Sequence, residues 1–162
     1  MTTISNNVTR LLDAKKIKYE VFELPPEKLG AVEAAAMLGI DEGFVYKTIV
    51  TKKESNHRYC LAVVPGDSEV DLKLLAKSLN EKKVFLTTQV EAEKATGLLA
   101  GGISPLALLN RGFQVVIDLS AVKLQWMHIS GGQRGVNIRL IPSDLISLTN
   151  ARTAEICQSK NL

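Results

Sequence analysis

The sequence predicts one α+β domain with a mixed, mostly antiparallel sheet flanked by helices. Its 162 residues are 46% hydrophobic, which suits a single core and leaves no room for a second independent domain. Strand-like and helix-like segments are interspersed irregularly, unlike the regular alternation of a doubly wound sheet. A polar stretch at 52–58 joins two strand-like runs and predicts a hairpin. We expect one domain over 1–162, with its core at about 5–150.

Local signals divide the first half of the chain into short elements. Ser5 precedes apolar residues at helical spacing and is the expected capping residue of the first helix. Pro25 and Pro26 end the first strand because proline cannot donate a ladder hydrogen bond, and Gly39 ends the second helix. The predicted elements are a helix over 5–16, a strand over 19–24, a helix over 31–38 and strands over 44–51 and 59–64.

The second half continues with mixed elements. Thr88 and Glu91 have the spacing of a capping box, and Gly97 follows as the stop of that helix. Ser143 is the expected cap of the last helical region. The predicted elements are a helix over 69–79, a strand over 83–86, a helix over 88–95, strands over 113–117, 125–129 and 136–141, and a final helix from 143.

Composition excludes several classes of protein. The net charge is only +3, so no polybasic tail supports unspecific nucleic-acid binding. The longest apolar runs are far shorter than the ~20 residues of a membrane helix, and no signal pattern opens the chain, so we expect a cytoplasmic protein. Cys60, Cys157, His57 and His128 lack metal-ligand spacing, so we predict no metal and no cofactor. Cys60 lies in an apolar run, which favours a buried thiol over a nucleophile.

Lys47 is the residue that the pattern singles out. It interrupts a strand-like run, and period-two alternation places it on the same face as Val45 and Ile49. A lysine on such an apolar face either extends its ammonium group to an edge or lines a pocket. The pattern alone favours the first interpretation.

Two glycine-bearing loops could bind a substrate. The loop Gly101-Gly102-Ile103-Ser104-Pro105 offers backbone amides that could stabilise an oxyanion. The loop at 130–135 could hold a phosphate or ribose, with Arg134 as a charged fork. Considered singly, each loop is better explained as an ordinary turn. No serine triad or glycosidase pair is present, and Asp67 and Asp118 fit turn-capping roles.

Six short motifs occur along the chain. They are Val45-Tyr46-Lys47-Thr48, Ala62-Val63-Val64-Pro65, Asp71-Leu72-Lys73, Thr96-Gly97, Gly101-Gly102-Ile103-Ser104-Pro105 and Ser130-Gly131-Gly132-Gln133-Arg134-Gly135. In order and spacing they resemble the YbaK family of Cys-tRNA(Pro) deacylases, related to the editing domain of prolyl-tRNA synthetases. The resemblance covers the chain from about the first helix to Leu145.

The resemblance implies a partly barrel-like fold and a trans-editing enzyme that hydrolyses the ester of a mischarged tRNA, with Cys-tRNA(Pro) as the expected substrate. It implies that Lys47 is the essential polar residue and that Gly101 and Gly102 hold the substrate carbonyl. The other implied substrate-binding residues are Thr48, Ile103, Ser130, Gly131 and Gly132. The implied partners are the acceptor end of aminoacyl-tRNA and prolyl-tRNA synthetase, with the chain itself a monomer or weak homodimer.

The resemblance also implies a mechanism without a protein nucleophile, in which the thiol of a cysteinyl ester attacks its own carbonyl, a lyase-like step. The chain departs from the family pattern at 22–27, where a segment bordering the amino-acid pocket lacks the family's histidine and tyrosine. Two alternatives therefore stay open. The chain could remove another small amino acid such as alanine, or it could bind tRNA or a synthetase without catalysis.

Overall fold

A long antiparallel hairpin lies at the centre of the structure, a computed structural model that describes residues 4–158. The hairpin strands are β2 (Tyr46–Lys53) and β3 (Tyr59–Pro65), paired from Tyr46 opposite Pro65 to Lys52 opposite Tyr59. Three further strands complete a five-stranded sheet of order β5-β2-β3-β6-β9, in which β6 and β9 run parallel to β3. They are β5 (Val84–Leu86), β6 (Gln114–Asp118) and β9 (Arg152–Ala154).

A second, antiparallel sheet has the order β1-β8-β7. Its strands are β1 (Tyr19–Glu23), β7 (Met127–Ser130) and β8 (Val136–Leu140). A parallel bridge between Val45 and His128 brings β7 beside the start of β2. The mixed, mostly antiparallel α+β fold is thus confirmed, but the predicted barrel-like closure is incomplete because two separate sheets meet at this bridge without forming one continuous sheet.

Five α-helices flank the sheets, and none within residues 4–158 has the length and apolarity needed to cross a membrane. Two predicted caps are wrong. Asn6 caps α1 instead of Ser5, and Ile141 precedes α5 instead of Ser143, because Pro142 already suits the first helical turn. The helices are α1 (Asn7–Ala14), α2 (Ala31–Leu38), α3 (Leu72–Ser78), α4 (Gln89–Thr96) and α5 (Pro142–Thr149).

Two predicted boundaries change because of distant pairing and local turns. The predicted helix over 69–79 begins later, since β4 (Glu69–Val70) pairs with β10 (Cys157–Gln158) and Asp71 then caps α3. The predicted strand over 44–51 begins at Tyr46, because a 3₁₀ helix over Glu42–Phe44 precedes it. Neither β9 nor β10 was expected from the sequence.

The hydrophobic core lies on both faces of β3. Leu61 and Val63 point into a large cluster between the sheets, whereas Cys60, Ala62 and Val64 point into a second cluster beneath α3. Because both faces are covered, the strand is a continuous apolar run without alternation. Cys60 is fully buried, and burial raises the pKa of its thiol to about 11.

Asp118 fastens the end of β6 to the C-terminal segment. Its buried carboxylate accepts hydrogen bonds from Ile156 N at 3.0 Å and from Ser120 N at 3.1 Å. We predict that Asp118→Ala lowers the free energy of unfolding by about 1 to 3 kcal/mol, because both amides lose their acceptor. Urea denaturation measures this change, with Glu155→Ala, an exposed carboxylate in the same segment, as the matched control. Equal stability of the two variants would contradict the assigned role.

Candidate active site

A cavity of about 380 Å³ opens where the start of β2 meets the end of β7. Four parts of the chain line it: the segment 24–34, residues 45–48, the loop 100–103 and the strand ends at 130 and 135–137. Five of the predicted site residues line this cavity, namely Lys47, Thr48, Gly101, Ile103 and Ser130. The other three, Gly102, Gly131 and Gly132, do not.

Lys47 lies at the edge of the cavity with its side chain 24% exposed. Its neighbours on the same strand face are covered, since Val45 is buried beside α2 and Ile49 packs on the cluster beneath α3. The ammonium nitrogen is 3.4 Å from Glu69 Oε1, but the Glu69 side chain is 64% exposed. An exposed ion pair of this kind contributes little to stability, so the ammonium group is free to exchange Glu69 for a substrate group.

The loop that contains Gly101 forms one wall of the cavity. Gly101 has φ +90°, and a Cβ on it would lie 3.2 Å from Lys28 Cα. Within residues 4–158 the Gly101 amide donates to no acceptor. The Gly102 amide, in contrast, donates to the Leu99 carbonyl at 2.8 Å, so the predicted pair of oxyanion donors is reduced to Gly101.

Gly131 and Gly132 pack behind the cavity wall, and their binding of substrate stays a prediction. The Gly131 amide donates to the Val136 carbonyl at 2.8 Å. A Cβ on Gly132 would lie 2.9 Å from Val8 Cγ2. The Nε of Arg134 is also occupied, because it donates to the Ala100 carbonyl at 2.7 Å. This hydrogen bond joins the loop at 130–135 to the Gly101 loop.

Ser130 reinforces the same junction from the cavity side. Its hydroxyl donates to the Gly101 carbonyl at 3.4 Å and accepts from Gly132 N at 3.3 Å. Thr48 enters the cavity from the opposite wall, on a strand paired with β3. The cavity therefore has two rigid walls, one on β2 and one formed by the glycine loops.

Asn137 and His128 are site features that the sequence reasoning missed. Asn137 lines the cavity, its side chain is 5% exposed, and its Oδ1 lies 2.8 Å from Nδ1 of the buried His128. Burial lowers the pKa of His128 below its ordinary value, although the hydrogen bond to Asn137 opposes that shift. The imidazole is therefore neutral at neutral pH. Alternation along β8 contained the signal, since Val136 and Ile138 face the core and Asn137 must face the other way.

The segment before α2 forms the remaining wall. Leu24 and Glu27 line the cavity, as do Lys28 and Glu33. The Lys28 ammonium donates to Gln89 Oε1 at 2.5 Å, which links this wall to α4. Two acidic residues and one lysine thus belong to this wall.

We predict that Gly102→Ala destabilises the protein although Gly102 does not line the cavity. Its Cβ would lie 2.9 Å from Gln133 Cα, so the two glycine loops must separate, at a cost of about 1 to 3 kcal/mol. Thermal unfolding measures the loss. Gly43→Ala is the control, because its Cβ would meet carboxylate oxygens of Asp41 and Asp67 that can move. A Gly102→Ala midpoint no lower than that of the control would contradict the packing role.

Comparisons with known proteins agree with this arrangement. The chain is 34% identical over 157 residues, 96% of its length and 94% of the relative's, to an Enterococcus faecalis protein provisionally named Cys-tRNA(Pro)/Cys-tRNA(Cys) deacylase EbsC. It is 23% identical over 144 residues, 86% of its length and 87% of the relative's, to the prolyl-tRNA editing protein ProX of Acetoanaerobium sticklandii.

A solved structure described as a trans-editing enzyme for prolyl-tRNA synthetase has the same fold, with TM-score 0.79 and 24% identity over 97% of this chain and 100% of that one. The model of the aminoacyl-tRNA editing domain matches residues 25–148, which include every residue placed on the cavity except Leu24. The chain therefore belongs to the aminoacyl-tRNA editing domain family.

Proposed function

We propose that this chain is a trans-editing deacylase that hydrolyses the ester of a mischarged tRNA, with Cys-tRNA(Pro) as its substrate. The observation that carries the proposal is the presence of Lys47 and the unpartnered Gly101 amide in one cavity. Its volume of about 380 Å³ lies within the ~300–1,000 Å³ of small-molecule sites. The names of the two relatives support the reaction, and the Enterococcus protein's name supports cysteine.

The proposed mechanism assigns one role to each wall. The aminoacyl carbonyl oxygen lies against the Gly101 N–H, which stabilises the negative charge that develops on it. Lys47 leaves Glu69 and binds a phosphate or ribose oxygen of the terminal adenosine, which fixes the ester in place. Thr48 and Ser130 border the bound ester on either side. The Gly102 amide takes no part, because it donates its hydrogen bond to the Leu99 carbonyl.

The nucleophile in this proposal comes from the substrate. The cysteinyl thiol attacks its own carbonyl carbon, a C–S bond forms, the ester C–O bond breaks, and the proton of the thiol passes to the departing ribose oxygen. Water then opens the resulting thiolactone and releases cysteine. Neither thiol of the chain lines the cavity. Cys60 is buried in the core, and burial together with Asp118 raises the pKa of Cys157.

We predict that Lys47→Met lowers kcat/KM for Cys-tRNA(Pro) by about 100-fold while the protein stays folded, because an interaction used in the transition state is lost. Release of labelled cysteine measures the rate, and thermal unfolding checks the fold. Lys53→Met is the matched control, since Lys53 lies at the far end of the same strand and binds Gln114. A Lys47→Met variant as active as this control would refute the proposal.

The same assay separates the alternatives when Ala-tRNA(Pro) and Pro-tRNA(Pro) are also offered to the wild-type protein. Faster release of alanine than of cysteine would assign the enzyme to alanine. Release from none of the three would favour the alternative of a binding protein that lacks catalysis. Pro-tRNA(Pro) is expected to stay intact, because an editing enzyme must spare the correctly charged tRNA.

We predict that the double variant Cys60→Ala/Cys157→Ala retains the wild-type rate on Cys-tRNA(Pro), because no thiol of the chain attacks the ester. Rates are compared under single-turnover conditions on protein shown to be folded by thermal unfolding. Ser-tRNA(Pro), with a hydroxyl in place of the substrate thiol, should react more slowly with both proteins. Equal rates on the seryl and cysteinyl esters would rule out attack by the substrate thiol and leave hydrolysis by water.

A further inference from the structure

Asn137 and His128 form a buried polar pair on the cavity side of the β1-β8-β7 sheet. Asn137 is opposite Ser130 on the neighbouring strand, and His128 lies two residues before Ser130 on the same strand face. Both side chains of the pair are nearly inaccessible, at 5% and 6% exposed. Asn137 alone of the two lines the cavity. The pair therefore connects the cavity surface with the interior.

The hydrogen bond between them fixes which end of the Asn137 amide faces the substrate. Asn137 Oδ1 accepts from Nδ1 of His128 at 2.8 Å, so the amide nitrogen points away from the imidazole. That nitrogen donates to no residue within 4–158. Among residues 4–158, the fully buried side-chain nitrogen or oxygen that lacks a hydrogen-bond partner is Arg139 Nε. The amide nitrogen of Asn137 also lacks a partner in this range, so it must be partly accessible to solvent. The two N–H groups of Asn137 are thus directed to the cavity.

His128 is held firmly enough to impose this orientation. Its ring centroid is 5.4 Å from that of Phe22, and its backbone forms the bridge to Val45 that joins the two sheets. With the proton on Nδ1, rotation of the Asn137 amide by 180° would place its NH₂ group against that proton. The reverse orientation therefore also requires the imidazole proton to move to Nε2.

We propose that His128 is a positioning residue for Asn137, and that Asn137 donates to a neutral oxygen acceptor of the bound aminoacyl-adenosine instead of binding its α-ammonium group. The proposal rests on the proposed function for the identity of the ligand. Because the side-chain oxygen of Asn137 is turned to the imidazole of His128, the group that Asn137 presents to the cavity is its NH₂ donor, which cannot accept from an ammonium group. The cavity's carboxylates, Glu27 and Glu33, carry the negative charge that an ammonium group requires.

A double-mutant cycle tests the positioning role. We expect His128→Phe and Asn137→Ala each to lower kcat/KM for Cys-tRNA(Pro) by about 10-fold, and the double variant to be no slower than Asn137→Ala alone. His128→Gln, whose amide can donate to Asn137, should recover part of the rate. Multiplicative effects of the two substitutions in folded proteins would overturn the positioning role, since His128 would then act independently of Asn137.

Binding of a stable ligand tests the choice of acceptor. The probes are cysteinyl-adenosine with an amide in place of the ester, and the same compound without its α-amino group. If Asn137 binds an oxygen, deletion of the amino group should weaken binding by the same factor in the wild-type protein and in Asn137→Ala. If Asn137 binds the ammonium group, that factor should disappear in the variant, and the inference is wrong.

The side-chain NH₂ signals of Asn137 in a ¹⁵N-labelled protein provide a measurement that does not need turnover. They should shift when the amide-linked probe binds, and in His128→Phe they should broaden or move because the amide is no longer held. A wild-type protein that deacylates no tRNA but shows these changes would refute the proposed function and keep this inference. A protein that deacylates Cys-tRNA(Pro) but shows no shift would refute this inference and keep the proposed function.

Discussion

The site depends on the contact between two sheets at one short bridge. Val45 pairs with His128, and this pairing sets the start of β2 beside the end of β7. Lys47 and Thr48 follow Val45 by two and three residues, while Ser130 follows His128 by two residues. Residues more than 80 positions apart in the chain thereby line one cavity. Along its length β2 pairs with β3, a strand that is buried on both faces.

The glycine loops meet the cavity at a closely packed junction. The backbone of Gly102 approaches Gln133 so closely that a Cβ would lie 2.9 Å from Gln133 Cα. Arg134 and Ser130 then bind the carbonyls of Ala100 and Gly101. The carbonyls of Ala100 and Gly101 are thus occupied, and the Gly101 amide has no acceptor among residues 4–158. Preorganised backbone of this kind can stabilise developing charge without reorganising during the reaction.

Local signals in the sequence were sufficient for part of this structure. Residues 31–38 form α2 as predicted, because the stop at Gly39 is local, and the hairpin follows from the polar stretch between two apolar runs. Pairing of β4 with β10 joins residues far apart in the chain, so no local pattern could reveal it. Asn6 replaces Ser5 as the cap because its amide also reaches the Gly131 carbonyl and Gln133, which are distant in sequence.

The site was predictable to a similar extent. Lys47, Thr48, Gly101, Ile103 and Ser130 do line one cavity, but glycines that bind and glycines that pack have the same appearance in a sequence. Gly102, Gly131 and Gly132 do not line that cavity, and their amides or missing side chains serve the contact between loops. Asn137 was given no role, because the role of an asparagine in a strand cannot be assigned before the hydrogen-bond partner of its side-chain oxygen is known.

In the proposed mechanism, the groups that act on the ester and the side chains that select the amino acid lie in separate parts of this cavity. Lys47 and the Gly101 amide belong to the rigid walls, whereas the segment 24–34 carries the side chains that differ in charge and size. That segment contacts the glycine loops at its first residue and again near its middle. The Leu24 amide donates to the Gly135 carbonyl at 2.8 Å, and Lys28 packs against Gly101. Under the proposed function, substitutions within the segment can therefore reshape the amino-acid pocket while the groups around the ester stay in place. On the same proposal, the departure from the family pattern at 22–27 bears on which amino acid is accepted, and much less on whether an ester is cleaved.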